Sequence, residues 1–284
     1  MLIEIKDLHH TFNPGSPIQK EVLCGISLDV REGEFVALIG ETGSGKTTLV
    51  LHINGLLIPS AGSVRVGDVT VTPKTKKTGE LRELVGIVFQ YPEHQLFEES
   101  VAREISFALR NKSTKLTGEE IDRRVRKAAE LVNLDYESFA SRSPYSLSSG
   151  EQRKVAIASI LAMDPQILIF DEPTQGLDAR SSKETLRNIK ALNKSGKTVI
   201  VISHDLEEVV EIADRVAILK KGKILFDVPA PELFSRPEVL RGIRHLLPDL
   251  TELLLRLREE GWGNDAGEYR SERAAERILW ELKR

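Results

Sequence analysis

The sequence of 284 residues predicts an α/β fold built around a mostly parallel sheet. Three short apolar runs, at residues 35–39, 166–170 and 198–203, have the length and composition of buried parallel strands. Segments with helical spacing separate these runs, and such an alternation indicates parallel strands joined by right-handed crossovers. A glycine-rich loop that joins the first run to a helix is the third observation that favours this fold class.

That loop, residues 40–47, reads Gly-Glu-Thr-Gly-Ser-Gly-Lys-Thr and fits the phosphate-binding pattern G-x-x-x-x-G-K-[ST]. Glycines let the backbone wrap a polyphosphate, and the start of the following helix favours negative charge. The motif assigns Lys46 to the β- and γ-phosphates and Thr47 to Mg²⁺. The strand and helix on its two sides argue against a turn that fits by chance. The predicted phosphate-binding residues are Gly40, Glu41, Thr42, Gly43, Ser44, Gly45, Lys46, Thr47 and Thr48.

Composition excludes several classes of protein. With 40% hydrophobic and 29% charged residues the chain is typical of a globular protein, and its net charge of −3 gives no sign of a nucleic-acid partner. No apolar run approaches the ~18 residues that span a bilayer, and no basic region followed by an apolar one opens the chain as in a signal peptide. Cys24 has no second cysteine with which to pair. These observations favour the cytosol.

The two ends of the predicted core are antiparallel. Alternating apolar and polar residues predict strands at residues 2–6, 22–30 and 63–71, with turn residues at 13–17. Phe12 lies at that turn and is either a core aromatic or a platform for a stacked base. The other end of the core is predicted to be a hairpin of residues 215–219 and 223–227, which turns at Lys221 and Gly222, with a helix at 182–195 earlier in the chain.

The middle of the chain has a different pattern of apolar residues. Residues 72–79 are predicted to form a solvated loop and residues 84–89 a buried strand, after which helical periodicity appears at 99–110 and 118–133. We therefore expect a helical insertion from about 91 to 161. One face of its second helix is apolar and consists of Ile121, Val125, Ala128, Ala129 and Val132.

The C-terminal part is predicted to be a small helical extension, residues 229–284, that follows a boundary at Pro229 and Pro231. It contains a glycine- and acid-rich loop at 261–268 and a second helix at 271–283. Because so short a segment cannot bury a core alone, we expect it to pack on the main domain or on another subunit. Its first helix has an apolar stripe of Leu246, Leu250, Leu253, Leu254 and Leu257.

Polar residues at strand ends are the predicted catalytic groups. Asp171 ends an apolar strand beside the phosphate loop, a position suited to Mg²⁺, and Glu172 points differently and can polarise an attacking water. Gln90 ends another strand, where it can contact the metal or the water. His204 follows the last apolar run, at the sheet edge where ligands of such folds bind. Each could instead belong to a solvated turn, and the phosphate loop favours the functional interpretation.

With these motifs in place, residues 1–228 resemble the ATP-binding domain of an ATP-binding cassette (ABC) transporter. Residues 40–47 match the Walker A loop and residues 167–171 the Walker B strand. Residues 147–151 match the family signature, which distinguishes ABC proteins from other phosphate-loop enzymes. The remaining matches are Phe12 to the adenine-stacking aromatic, Gln90 to the Q-loop, Glu172 to the catalytic base, His204 to the switch histidine and Asp178 to the D-loop.

The resemblance implies a P-loop fold with a RecA-like core, an antiparallel β subdomain and a helical subdomain, which binds ATP and Mg²⁺. It also implies that two ATPases close head to tail, with each ATP between one Walker A loop and the other subunit's signature. The residues expected at the partner's nucleotide are Ser148, Ser149, Gly150, Glu151 and Asp178. Ser149 replaces the first glycine of the usual signature, and if that position needs a positive φ, serine costs about 1–2 kcal/mol.

A narrower resemblance is to the ATPases of energy-coupling factor transporters. Residues 88–97, 153–158 and 245–261 are similar to segments of those proteins. The resemblance implies import of a vitamin or transition-metal ion, with a second ATPase (a copy or a paralogue), a transmembrane coupling protein and a membrane substrate-binding subunit as partners, and a peripheral place on the cytoplasmic face of the cell membrane. It implies a docking surface of Tyr91, His94, Leu96 and Phe97, which could instead be core residues.

Three other functions compete with this one. An ATPase of an ordinary importer fed by a soluble binding protein would differ in its membrane partner. A non-transport ABC protein acting on ribosomes or DNA usually has two cassettes or a long coiled coil, and this chain has one cassette and no heptad run. A substrate kinase needs a phosphate-acceptor site, for which the sequence gives no evidence.

Overall fold

A computed structural model describes residues 1–112, 115–247 and 249–260 of the chain. Two sheets and a helical segment form the molecule. The smaller sheet is antiparallel, with strand order β2-β1-β4-β5. Its strands are β1 (Ile3–Phe12), β2 (Lys20–Val30), β4 (Ala61–Val66) and β5 (Val69–Val71).

The prediction of one continuous strand at residues 63–71 is wrong, because this segment is a hairpin of two strands. β4 ends at Val66 and β5 begins at Val69, and Gly67 between them has a φ of 56°. Glycine adopts this left-handed conformation without steric cost, so the chain reverses within two residues. The first strand is also longer than predicted and runs on to Phe12.

The larger sheet has the strand order β10-β9-β3-β8-β7-β6. The five strands from β9 to β6 are parallel to their neighbours, and β10 is antiparallel to β9. This confirms the predicted alternation of parallel strands and helices and the closing hairpin. The strands are β3 (Phe35–Ile39), β6 (Val85–Val88), β7 (Ile167–Asp171), β8 (Thr198–Ser203), β9 (Arg215–Lys220) and β10 (Lys223–Pro229).

The described α-helices lie on both faces of this sheet and in the segment after β6. The prediction of a loop up to residue 79 overlooked a short helix, α2, which directly precedes β6. The helices are α1 (Lys46–Ile53), α2 (Gly79–Leu84), α3 (Val101–Arg110), α4 (Gly118–Leu131), α5 (Tyr136–Phe139), α6 (Ser149–Leu161), α7 (Ala179–Lys194), α8 (Leu206–Val210), α9 (Pro237–Gly242) and α10 (Asp249–Glu259).

Two hydrophobic cores cover the two faces of the parallel sheet. Along β3, Phe35 and Ala37 face one core and Val36 and Leu38 face the other, as the pleat of a strand requires. The first core includes the helical segment, and the second includes α1 and the antiparallel sheet. Because both faces are covered, β3, β7 and β8 are buried along their whole lengths.

The predicted apolar face of α4 is confirmed. Val125, Ala128 and Ala129 are fully buried, and Ile121 and Val132 pack at the edge of the same core. Thr117 caps this helix by accepting a hydrogen bond from the backbone N–H of Glu120.

The described part of the C-terminal extension packs on the first core, through Leu240, Ile243 and Leu254. Of the predicted apolar stripe, Leu254 is buried and Leu253 is 52% exposed, and Leu255, which is not part of the predicted stripe, is also buried. The predictions for residues 261–268 and 271–283 lie outside the described residues. In the part of the chain that the structure describes, no helix is long and apolar enough to span a membrane.

Candidate nucleotide site

The phosphate-binding loop joins β3 to α1 and passes close to β9. A Cβ atom added at Gly40 would lie 2.3 Å from the backbone oxygen of Leu219, so the loop can take this path only with glycine there. At the other end of the loop, Gly45 caps α1 with a φ of 110°. These two glycines set the start of α1 directly beneath the cleft.

Lys46 crosses the loop from the first turn of α1. Its Nζ donates hydrogen bonds to the backbone oxygens of Gly40, at 2.6 Å, and of Glu41, at 3.1 Å. Burial lowers the pKa of Lys46, and the carboxylates of Glu172 and Asp171 oppose this effect. The ammonium group is therefore held at the centre of the loop with two carboxylates near it.

Thr47 and Asp171, two of the three predicted metal ligands, are in contact. The hydroxyl of Thr47 donates to Oδ2 of Asp171 at 2.9 Å, across 124 positions of sequence. Asp171 is the last residue of β7 and is buried, which raises its pKa. Two oxygen ligands at this distance, next to a phosphate loop, are the donor set that Mg²⁺ uses together with substrate phosphates.

The site fits magnesium better than a metal held by protein alone. Among the described residues there is no group of three or more His, Cys, Asp or Glu side chains that could hold a metal ion. Mg²⁺ usually keeps several waters and binds through one or two protein ligands plus phosphates, so Thr47 and Asp171 suffice for it.

Glu172 directly follows Asp171 and has a φ of 51°, in the left-handed region. This conformation costs a non-glycine residue about 1–2 kcal/mol, and such strain concentrates at functional sites. The backbone N–H of Glu172 donates to the oxygen of Ile202 at 2.9 Å, which holds the turn against β8. Next to this turn, the Glu172 carboxylate contacts His204.

His204, at the end of the strand next to β7, contacts Glu172. Its Nδ1 lies 2.7 Å from Oε2 of Glu172, and 62% of its own side chain is exposed, against 14% for Glu172. Because a carboxylate can only accept, Nδ1 is the donor in this bond.

Gln90 contacts Gln175, a residue that sequence reasoning missed. The amide nitrogen of Gln90 donates to the side-chain oxygen of Gln175, which belongs to the loop between β7 and α7. No motif position marks Gln175, and only the fold brings it within reach of a residue 85 positions away.

These residues line one cleft of about 650 Å³. Besides Gln175, sequence reasoning missed Lys20 and Val22 of β2, which also line it. Predicted residues Gly40, Glu41 and Ser44 belong to the loop but do not line the cleft. The lining consists of Phe12, Lys20, Val22, Thr42, Gly43, Gly45, Lys46, Thr47, Thr48, Gln90, Asp171, Glu172, Gln175 and His204.

The signature residues do not line this cleft. Ser148, Ser149 and Gly150 are exposed at the start of α6, where Ser148 and Glu151 form a reciprocal cap. The Glu151 carboxylate accepts from the backbone N–H of Ser148 at 2.8 Å and from its hydroxyl at 2.7 Å, and these bonds lower its pKa. Asp178 is also outside the cleft and caps α7.

Backbone strain at Ser149, expected if its φ were positive, does not occur. Ser149 is the first residue of α6 and is not among the residues with positive φ. A helical conformation accepts serine without the steric cost that a left-handed one imposes.

An apolar groove of about 330 Å³ lies between β6, α3 and α6. Of the predicted docking residues, Phe97 is 58% and Tyr91 39% exposed, and the ring of Tyr91 stacks on that of His94 at 5.6 Å. Leu96 is only 7% exposed and belongs to the core, which is the alternative given for it, although it also lines the groove. Phe97 packs edge-on against Phe107, and both rings line the groove.

Comparisons with known proteins agree with this geometry. The model of the ABC transporter family matches residues 23–175. The energy-coupling factor transporter ATP-binding protein EcfA2 of Clostridium perfringens is 42% identical over 280 residues, 98% of each chain.

Solved structures give the same result. The structure of cbiO1 from Clostridium perfringens, described as part of the ABC transporter complex cbiONQ, has a TM-score of 0.73 and 32% identity, and the match covers 91% of this chain and 98% of that one. A dimeric ATP-binding cassette in a post-hydrolysis state with ADP and Pi bound has a TM-score of 0.70 and 30% identity, over 80% and 98% of the two chains. This chain therefore belongs to the ABC transporter family of ATP-binding ATPases, among its energy-coupling factor transporter ATP-binding proteins.

Proposed function

We propose that this chain binds ATP with Mg²⁺ in the cleft and hydrolyses it to drive import through a membrane coupling protein. The observation that carries the proposal is the convergence of the phosphate loop, the Thr47–Asp171 pair and the Glu172–His204 pair in one cleft. In this proposal Phe12 stacks on adenine, Lys46 contacts the β- and γ-phosphates, and Thr47, Asp171 and Gln90 hold the metal.

The chemistry follows from the positions of Glu172 and His204. A water attacks the γ-phosphorus, the bond from that phosphorus to the bridging oxygen breaks, and ADP leaves with the electron pair. Glu172 accepts the proton of the water, and His204 holds the carboxylate through its Nδ1–H. Mg²⁺, when bound, neutralises the charge of the phosphate oxygens.

Two subunits would complete each site. The exposed residues 148–150 and Asp178 lie outside the cleft of their own chain, which supports a role at the nucleotide of a second ATPase. The related cassette with ADP and Pi is dimeric. The second ATPase is either another copy of this chain or a paralogue, and the start of α6 would present its N–H groups to the γ-phosphate.

The apolar groove is the proposed contact with the membrane. Exposed aromatic side chains at Phe97, Phe107 and Tyr91 are typical of a protein interface. The names of the relatives support a transmembrane coupling protein as the occupant, with a membrane substrate-binding subunit that selects a vitamin or a transition-metal ion. The chain would then be a peripheral protein on the cytoplasmic face of the cell membrane.

We also propose that residues 1–228 form the ATP-binding domain, with a helical subdomain at about 91–161, and that the extension from 229 helps to hold two ATPases together. The exposed Leu253 on α10 supports a role of the extension in holding two ATPases together, since an apolar side chain on a helix surface is available to a partner.

Affinity purification from detergent-solubilised native membranes, followed by mass spectrometry, tests the proposal. We expect a second ATPase, a membrane coupling protein and small membrane substrate binders. Replacing Phe97 by Glu, with Glu99→Gln as a control on a neighbouring exposed side chain, is expected to release the membrane proteins. Recovery with ribosomes or without any membrane protein would contradict the transport role. Recovery with a soluble binding protein would instead indicate an ordinary importer and contradict the energy-coupling factor role.

A further inference from the structure

Two buried histidines connect the proposed adenine platform to the helix of the phosphate loop. His10 is on β1, two residues before Phe12, and His52 is on α1. His10 is 8% exposed and His52 is completely buried. Nδ1 of His10 lies 3.0 Å from Nε2 of His52, so a hydrogen bond joins the two elements.

The backbone of α1 determines which atom donates in this bond. Nδ1 of His52 lies 2.7 Å from the carbonyl oxygen of Thr48, which can only accept, so Nδ1 carries a proton. Burial keeps the imidazole of His52 neutral, with a pKa of about 4. Its Nε2 is then an acceptor, and His10 donates through Nδ1.

The two histidines contact two residues of the cleft, His52 through a hydrogen bond and His10 through its ring. Thr48 lines the cleft beside the phosphate loop, and Phe12 lines it at the end of β1. The ring of His10 contacts that of Phe12 edge-on, with 4.5 Å between centroids and 78° between planes. Phe12 is 39% exposed, so the histidine supports an aromatic ring that is otherwise open to the cleft.

Phe12 needs this support because of its place in the strand. It is the last residue of β1, and Asn13 after it has a φ of 49°, at the start of the turn. The register between β1 and β2 also shifts between His10 and Thr11. With a register shift before it and a turn after it, the backbone of Phe12 is less regular than the rest of the strand, and the ring of His10 gives its side chain a contact on one side.

We propose that His10 and His52 are positioning residues that orient Phe12 for stacking on adenine at a fixed distance from the phosphate loop. They would thereby set the preference of the cleft for ATP over a polyphosphate without a base. This inference rests on the proposed function, in which Phe12 stacks on adenine. A purely structural role for the pair would instead affect both ligands equally.

Calorimetric binding of ATP and of inorganic tripolyphosphate, each with Mg²⁺, separates these roles. The full-length chain is used with Glu172→Gln as background, so that ATP is not consumed. We expect His10→Leu and Phe12→Ala each to weaken ATP binding about tenfold and to change tripolyphosphate binding less than about twofold.

Three further variants test the hydrogen bonds and the ring of His10 separately. His52→Gln can still accept from His10 and donate to Thr48, and we expect it to keep the wild-type preference. His9→Gln, on the next position of β1 and bonded to Glu21 and Asp7, is the matched control and is expected to change nothing. If His10→Leu does not fold, His10→Asn keeps a donor but lacks the ring, and should lose the preference for ATP.

Each outcome is decisive. Equal loss of both ligands, or no loss of either, in the His10 variants would overturn the positioning role. If Phe12→Ala lowers the affinity for ATP and His10→Leu does not, the inference fails while the proposed function stands. If Phe12→Ala leaves ATP binding unchanged, both the adenine platform and the positioning role are wrong.

Discussion

Nδ1 of His204 lies 2.7 Å from Oε2 of Glu172, although 32 residues separate them in the sequence. Glu172 is held in a left-handed conformation at the end of β7, and His204 follows the adjacent strand β8. Because the two strands are parallel neighbours, their carboxyl ends meet at one edge of the sheet. The histidine therefore orients the carboxylate that we propose as the catalytic base.

Replacing His204 by Ala should lower the rate of ATP hydrolysis and leave ATP binding largely intact. The carboxylate of Glu172 loses the donor that orients it, and we expect a decrease in kcat of roughly tenfold to a hundredfold. Steady-state hydrolysis and equilibrium ATP binding measure the two effects separately. An unchanged kcat would show that the bond to Glu172 has no part in turnover.

Removing the hydroxyl of Thr47 should raise the Mg²⁺ requirement. Thr47→Val keeps the shape of the side chain but loses the oxygen that lies 2.9 Å from Asp171, whereas Thr47→Ser keeps it. We expect the Mg²⁺ concentration for half-maximal hydrolysis to rise about tenfold in the valine variant only. Identical Mg²⁺ titrations of the two variants would contradict the assignment of Thr47 as a ligand.

The stability of the protein should decrease in mild acid because of His52. Burial lowers the pKa of His52 from 6.5 to about 4, so between these values the unfolded chain binds a proton that the folded chain excludes. Stability is therefore complete above pH 6.5 and falls towards pH 4, by on the order of 3 kcal/mol at most. Urea unfolding from pH 7 to 5 should show this decrease in wild type and a smaller one in His52→Gln. Parallel curves for both proteins would exclude His52 as the cause.

Sequence reasoning located most of the cleft because local patterns mark it. The residue pattern of the phosphate loop and the carboxylates after an apolar strand are local signals, and the fold joins them through Thr47 and Asp171. Gln175 carries no such signal, since its contact with Gln90 depends on how two loops pack. The His10–His52 hydrogen bond spans 42 positions, and no sequence pattern predicts it either.

The errors in the predicted secondary structure also have local causes. The alternation across residues 63–71 changes phase at Gly67 and Asp68, because its apolar positions are 64 and 66 before this pair and 69 and 71 after it. A glycine followed by an acidic residue between two alternating runs indicates a hairpin, and the prediction of one continuous run overlooked it. Leu253 and Leu254 both fit an apolar stripe, and only the packing of α10 determines that Leu254 is buried and Leu253 exposed. Periodicity predicts which side of a helix is apolar, and packing determines which residues at the margin of that side are buried.

Replacing Ser149 by Gly should not stabilise the protein. Ser149 has a helical conformation at the start of α6, where glycine is less favourable by up to about 1 kcal/mol. We expect a slightly lower melting temperature for Ser149→Gly by differential scanning calorimetry. A rise in melting temperature would mean that this serine is strained after all.

Replacing Leu253 by Glu should weaken the association of two nucleotide-free ATPases. The side chain is 52% exposed, so the substitution leaves the core of the single chain intact. Light scattering at several protein concentrations should show more monomer than in wild type. Ile18→Glu, at a 73% exposed position far along the chain, is the control. Equal association of the two variants would argue against a dimerising role for the extension.

ATP hydrolysis by the Glu172→Gln variant of the purified complex tests the central claim most directly. The amide is nearly isosteric with the carboxylate but cannot accept the proton of the attacking water. We predict that hydrolysis falls at least about a hundredfold while ATP still binds and holds two subunits together. Hydrolysis at the wild-type rate would show that Glu172 is not the base and that the cleft does not work as proposed.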